Sequence, residues 1–207
     1  YYGGTGGDVA YACAVDATGN VYMTGYSSSN VGTVISTAGS HQTVMGGTFD
    51  AFLVKFSTAG VRQWGTYYGG TGGEYGYGCA TDAAGNVFMT GFTNSGTGNV
   101  IATVGSHQSV FGGGDDAFLV KFNTAGVRQW GTYYGSVSQD FVRSCKTDTF
   151  GNVYIAGQSS GSTGTAIATN PSYQPIIGGG ALDGFVAKFD STGLRFWGTY
   201  YGGNGND

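Results

Sequence analysis

Residues 116–135, DAFLVKFNTAGVRQWGTYYG, recur almost unchanged at 50–69 and more loosely at 183–202. A chain that repeats itself at this length builds one supersecondary unit several times over, which restricts it to a solenoid or a propeller. Asp16, Asp82 and Asp148 stand 66 residues apart, while Trp64, Trp130 and Trp197 stand 66 and then 67 apart, so the third copy holds one inserted residue. The copies run 1–66, 67–132 and 133–199, and 200–207 begins a fourth. Tyr1-Tyr2-Gly3-Gly4 and Tyr200-Tyr201-Gly202-Gly203 are one point of the repeat. The expectation is an excerpt of a longer or processed polypeptide, stacked on further repeats of that polypeptide or, as the weaker alternative, on other copies in a ring or filament.

Each copy reads as two β-hairpins. In the first, Tyr11, Cys13 and Val15 alternate with Ala10, Ala12 and Ala14, giving one bulky and one small face, the small one suited to close sheet packing. Asp16-Ala17-Thr18-Gly19-Asn20 has the chemistry of a tight turn, and 21–26 returns. The second hairpin closes at Ser57, Asn123 or Asp190, each able to accept a backbone hydrogen bond, and ends its turn at Gly60, Gly126 or Gly193. Between the hairpins lies a long Ser/Thr/Gly-rich connection, 27–48 in copy one, which accounts for a repeat longer than the ~40–50 residues of an ordinary blade. The fold class expected is all-β, a propeller of four-stranded antiparallel blades with about three blades in this chain. A closed ring typically needs four to eight.

Composition supports strands over helices: 10% of the 207 residues are charged and 42 are glycine, while 40% are hydrophobic. A net charge of −4 with no clustered Lys and Arg argues against a nucleic-acid surface. No apolar run approaches the 18 or so residues of a membrane-spanning helix, so membrane insertion is not expected. Cys13, Cys79 and Cys145 occupy one structural position three times and are expected to be unpaired.

The series Tyr-Tyr-Gly-Gly-x-Gly-x-Asp/Glu, Asp-x-x-Gly-Asn-Val-Tyr/Phe, His/Tyr-Gln and Asp-Ala-Phe-Leu-Val-Lys-Phe, in that order, resembles the SBBP repeat, named for a seven-bladed β-propeller. The resemblance covers the whole chain, with departures in copy three at 133–140 and at Tyr173. It implies a bacterial, often secreted or surface-attached, multi-domain protein containing a β-propeller, and no defined catalytic residue.

The charges point the same way. Every acidic and basic residue recurs by repeat except Asp115, Asp190, Arg143 and Lys146. An active site need occur only once, whereas blade architecture is rebuilt in every copy, so the recurring charges read as turn caps and ion pairs. A propeller enzyme, a lyase or glycosidase, would need a non-repeating carboxylate pair in one cleft, for which Asp115 and Asp190 are the material. Gly3-Gly4-Thr5-Gly6-Gly7-Asp8 begins like a calcium-binding nonapeptide repeat, but Glu74 replaces Asp in copy two and copy three lacks most of the glycines. No cofactor is expected, with calcium held across blades as an alternative. The ligand-binding candidates are an aromatic–glutamine pair on the long connection, His41-Gln42, His107-Gln108 and Tyr173-Gln174, against the plainer reading of a ring packed where the connection rejoins the blade. Arg143 replaces Tyr11 and Tyr77, and Lys146 replaces Ala14 and Ala80, putting two new positive charges on the first strand of copy three. The function expected is a non-enzymatic scaffold or binding module of an extracellular or cell-surface bacterial protein, with a surface protein or glycan as partner.

Overall fold

In the computed structural model, residues 1–30, 34–96, 100–161 and 165–207 are described. They form three antiparallel four-stranded sheets, with no helix among them. The first blade is β1 (Asp8–Val15), β2 (Val21–Ser27), β3 (Asp50–Phe56) and β4 (Arg62–Tyr68), paired in chain order. The second is β5 (Glu74–Thr81), β6 (Val87–Thr93), β7 (Asp116–Phe122) and β8 (Arg128–Tyr134). The third is β9 (Asp140–Thr147), β10 (Val153–Ser159), β11 (Asp183–Phe189) and β12 (Arg195–Tyr201). The arrangement is that of a partial propeller.

The two turns of each blade are closed by the residues that the repeat preserves. Asp16 accepts the N–H groups of Thr18 and Asn20 on Oδ1 and the Asn20 amide on Oδ2. Asp82 and Asp148 repeat the pattern, and Lys55, Lys121 and Lys188 lie 3.9, 3.6 and 3.9 Å from these carboxylates. These hydrogen bonds hold the Asp16 carboxyl well below its usual range despite burial. Burial alone would push it the other way.

Blade packs on blade through opposite faces of neighbouring sheets. Tyr22, Leu53 and Tyr68 of the first blade meet Val87, Phe118 and Phe122 of the second. Phe88, Leu119 and Tyr134 of the second meet Ile155, Phe185 and Phe189 of the third. The first strands approach closest, since Thr81 Oγ1 donates to Val15 O at 2.9 Å and Thr147 Oγ1 to Thr81 O at 2.7 Å. Small residues permit this: a Cβ on Gly78 would stand 3.1 Å from Ser144 Cα. Farther out, Lys55 and Trp64 both donate to Thr124 O in the next blade's turn, and Lys121 and Trp130 both donate to Ser191 O. The Trp64 indole lies so near Gly126 that a Cβ there would come within 2.8 Å of it, and φ at Gly126 is +79°, so glycine is required twice over.

The long connections complete the outer part of each blade. Thr37, Thr103 and Thr169 donate their N–H groups to Gly65, Gly131 and Gly198, and the N–H groups of Tyr67, Tyr133 and Tyr200 return to Gln42, Gln108 and Gln174. A fourth strand would otherwise present a bare edge, and the connection covers it. Ile35, Ile101 and Ile167 from the same connections are buried, the last two in the inter-blade cores. The extra length of the repeat therefore supplies both core and edge protection. The three thiols are unpaired, Cys13 exposed and the other two buried.

One local expectation changes. Strict alternation along β1 fails at Tyr11, which is an extra residue between the pairs Ala10–Gly25 and Ala12–Thr24. The same bulge occurs at Tyr77, between Gly76–Gly91 and Gly78–Thr90, and at Arg143, between Val142–Gly157 and Ser144–Ala156. The bulge is permitted by a glycine across the pair: a Cβ on Gly25, Gly91 or Gly157 would lie 1.8, 1.7 or 1.9 Å from the carbonyl oxygen of Val9, Tyr75 or Phe141. Each glycine makes room for its bulge.

Candidate functional site

The aromatic–glutamine pairs sit one per blade at equivalent places and are not brought together. Gln42 Nε2 donates to Asp50 Oδ2 at 2.7 Å and to Val44 O at 3.0 Å, while its Oε1 accepts the N–H of Gly69. Gln108 does the same with Asp116, Val110 and Gly135, and Gln174 with Asp183 and Gly202. These amides tie the connection to the end of the fourth strand. His41 packs on Tyr68 and Phe122, with ring centroids 5.9 and 5.7 Å away, and His107 packs likewise on Tyr134 and Phe189. Burial, and secondarily Arg128 or Arg195, pushes both imidazoles down to about 4, so they are neutral at pH 7. Tyr173 is exposed and stacks on Tyr201 at 6.0 Å. A cleft of about 430 Å³ opens beside His41 and Gln42, and a groove of about 880 Å³ between the second and third blades is lined by His107, Trp130, Ser191 and Leu194.

The recurring acids at the strand starts cap the glycine loops that precede them. Gly4, Gly70, Ser136 and Gly203 donate N–H groups to Asp8, Glu74, Asp140 and Asp207 at 2.7, 2.8, 2.6 and 2.7 Å. At each blade junction this carboxyl faces a second one across a glycine: a Cβ on Gly135 would stand 2.7 Å from Asp116 Oδ1 and 3.0 Å from Asp140 Oδ2, and Gly69 lies likewise between Asp50 and Glu74. Asp116 and Asp140 are fully buried, each with one oxygen lacking a hydrogen-bond partner. Burial pushes Asp116 up to about 7, helped by the neighbouring Asp140. Asp50, Glu74 and Asp140 are raised for the same first reason. Among the described residues there is no group of three or more His, Cys, Asp or Glu that could hold a metal ion.

This pairing has a pH consequence. A carboxyl whose folded pKa lies above its unfolded value binds more protons when folded, so its contribution to stability is full below pH ~4 and is lost as pH rises through about 7. The two histidines act oppositely, since stability falls as pH drops from 6.5 toward 4 and they must charge. The clean measurement is therefore a difference. Asp116→Asn is expected to gain in melting temperature relative to the parent protein as pH goes from 5 to 8, because only the parent must ionise the buried carboxyl at position 116; a melting difference that stays flat over that range would exclude the paired-carboxyl account.

Asp115 and Asp190 do not share a cleft. Asp115 immediately precedes β7 and accepts a hydrogen bond from the Gln139 side chain at 3.3 Å, whereas Asp190 follows β11 and caps the Thr192–Leu194 turn. They flank opposite ends of equivalent strands, a separation of roughly 20 Å at ~3.3 Å per residue along a strand. That is outside the ~5–9.5 Å spread of glycosidase carboxylate pairs.

What does converge is a band of rings along the inner wall. Tyr11 and Tyr77, both bulge residues, stack at 4.5 Å, and the Arg143 guanidinium lies over the other side of Tyr77 at 4.6 Å and over Phe141 at 5.4 Å. Tyr26 and Phe49 meet Tyr75 at 4.9 and 5.9 Å, Tyr75 stacks on Phe92 at 4.8 Å, and Phe92 meets Phe141 edge-on at 4.8 Å. The band crosses all three blades. Its members are half-buried except Tyr11, 45% exposed, and the exposed Arg143. A contiguous, partly exposed aromatic surface is uncommon away from interaction sites. The signal in the sequence was a bulky residue inside an otherwise Ala/Gly-rich first strand, at the one repeat position where Tyr, Tyr and Arg stand in register.

Fold and band together define a repeat β-propeller of the kind that presents surfaces for binding. No family model matches the chain. Over 169 residues, 77% of this chain, it is 27% identical to the WD repeat-containing protein L264 of Acanthamoeba polyphaga mimivirus. The chain spans 12% of that relative's length.

Proposed function

We propose that this chain is a non-enzymatic β-propeller binding module of the SBBP repeat kind, within a larger extracellular or cell-surface bacterial protein, and that it engages a surface protein or glycan through its inner-wall aromatic band. The observation that carries this reading is the contrast between two sets of side chains. The recurring acids, glutamines, lysines and tryptophans are spent on turns, connections and blade junctions, while the rings of the band hold partial exposure in register across three blades. Further blades are the other proposed partners. Tyr2, Tyr68 and Tyr134 each donate a phenol to Ile35 O, Ile101 O or Ile167 O, whereas the equivalent Tyr201 is 71% exposed. A following blade is what such a phenol fits.

The test is a screen of extracellular glycans and surface proteins with the parent chain and with Tyr77→Ala. Removing the central ring of the Tyr11–Tyr77–Arg143 stack is expected to weaken binding about 30-fold, the ~2 kcal/mol of an aromatic hot spot, with the melting temperature little changed. Binding that survives Tyr77→Ala undiminished would place the site elsewhere and overturn this reading.

A further inference from the structure

We infer that the groove between neighbouring blades is a site for an uncharged polysaccharide, repeated at each junction, with His107 as its principal hydrogen-bonding side chain at the second. It does not rest on the aromatic band being a binding surface. The groove lies where β7 ends and β8 begins, whereas Tyr75 and Phe92 of the band stand at the opposite ends of β5 and β6. At the second junction, of about 880 Å³, residues 103–107 of the long connection form one wall and the turn 191–194 of the third blade the other, with Gln129 and Trp130 between them. The first junction sets residues 37–41 opposite 125–128 beside Trp64, around two hollows of about 240 and 290 Å³. Both walls of each groove belong to blades already packed together, so a blade following Tyr201 leaves them as they are.

The backbone of these walls is already engaged. The N–H groups of Thr103 and Tyr133 donate to Gly131 O and Gln108 O, those of Thr192 and Leu194 to Asp190 Oδ1, and Ser191 O accepts both Lys121 and Trp130. Side chains are what remain. The His107 ring is fixed against Tyr134 and Phe189, yet neither of its nitrogens forms a hydrogen bond among the described residues, and His41 is placed likewise against Tyr68 and Phe122. A neutral imidazole offers one donor and one acceptor, as a sugar hydroxyl requires of its partners. The Ser191 hydroxyl and Gln129 Oε1 are also without a partner among the described residues. Val104 and Leu194, both exposed, put apolar side chains at the lips.

Three features select an uncharged sugar. Of the described residues lining the second groove Lys121 alone is charged, and it is held by Asp82 at 3.6 Å and by Ser191 O at 3.1 Å. An extended peptide would bind through main-chain hydrogen bonds, and the covered β8 edge and the capped 190–194 turn have none to offer. A polymer of identical units matches a groove that returns every 66 residues, where several weak contacts act together.

The probes are maltotriose, mannotriose and chitotriose, three uncharged pyranose trimers, with trigalacturonate and hexaserine as charged and peptide controls, each titrated against the full chain by two-dimensional NMR. The variants are His107→Phe, which keeps the ring packing and removes the nitrogens, and Ser191→Ala, which removes the hydroxyl and keeps the carbonyl that Lys121 and Trp130 use. At least one neutral trimer is expected to bind and to shift the amide signals of residues 103–107 and 190–194. His107→Phe should weaken it about 10-fold, Ser191→Ala about 3-fold and Tyr77→Ala not at all. No shift with any of the three trimers, or an affinity unchanged in both groove variants, would overturn the inference. Trigalacturonate bound as tightly would overturn the uncharged class, and hexaserine bound as tightly the sugar class. Shifts confined to residues 11, 77 and 143 and lost on Tyr77→Ala would leave the aromatic band standing and remove the groove site alone.

Discussion

Gly91→Ala is expected to cost more than about 4 kcal/mol, enough to leave the chain largely unfolded if its stability is the usual ~5–15 kcal/mol. The new Cβ would lie 1.7 Å from Tyr75 O and 2.8 Å from the Tyr75 carbonyl carbon, and these are backbone atoms of the paired strand rather than the end of a side chain. Nothing can rotate out of the way. Relief requires β5 and β6 to separate at the Tyr77 bulge, where Tyr75 and Phe92 stack and where β5 packs on both neighbouring blades. The comparison is Gly105→Ala, at φ +79° with open space around it, which carries only the ~1–2 kcal/mol of left-handed backbone. Urea denaturation of both settles the matter: if Gly91→Ala is no more costly than Gly105→Ala, the bulge geometry is wrong.

Tyr134→Ala is the second large effect, at about 3–5 kcal/mol for deleting a fully buried ring. Tyr134 belongs to the second blade, yet its ring packs on Phe185 and Phe189 of the third at 5.5 Å each and its phenol donates to Ile167 O. The truncation therefore empties the junction itself. Tyr134→Phe should cost only about 1 kcal/mol, because Arg195 Nη1 also reaches Ile167 O at 3.3 Å and leaves that carbonyl satisfied. The pair of denaturation midpoints checks this at unchanged denaturant slope. Near-equal losses for the two variants would mean that the hydroxyl, and not ring packing, holds the third blade.

Much of this was legible in the letters, for a physical reason. Turns are local: an aspartate two and four residues before its N–H partners, and a glycine at φ > 0, act within five residues, so Asp16-Ala17-Thr18-Gly19-Asn20 and Asn123-Thr124-Ala125-Gly126 announce their hairpins. Strand alternation and a 66-residue period are equally one-dimensional, and from them follow four strands per copy and antiparallel order. Repetition also separates structural charge from exceptional charge, so Arg143 and Lys146 stand out in the sequence alone.

What the sequence could not decide depends on atoms far apart in the chain. That Gly69 and Gly135 sit between two carboxyls, that Trp64 binds a turn about 60 residues away, and that Gln42 closes the connection on Asp50 are facts of blade-to-blade distance. The bulges were hidden for the same reason. Alternation predicts Tyr11 on a face with Cys13 and Val15, and only the close approach of Val9 O to Gly25, which no residue with a Cβ would allow, leaves room for the bulge that delivers Tyr11, Tyr77 and Arg143 to one wall. Local chemistry and periodicity set the blade; the distance between neighbouring backbones, which no single copy encodes, set where its aromatic residues meet.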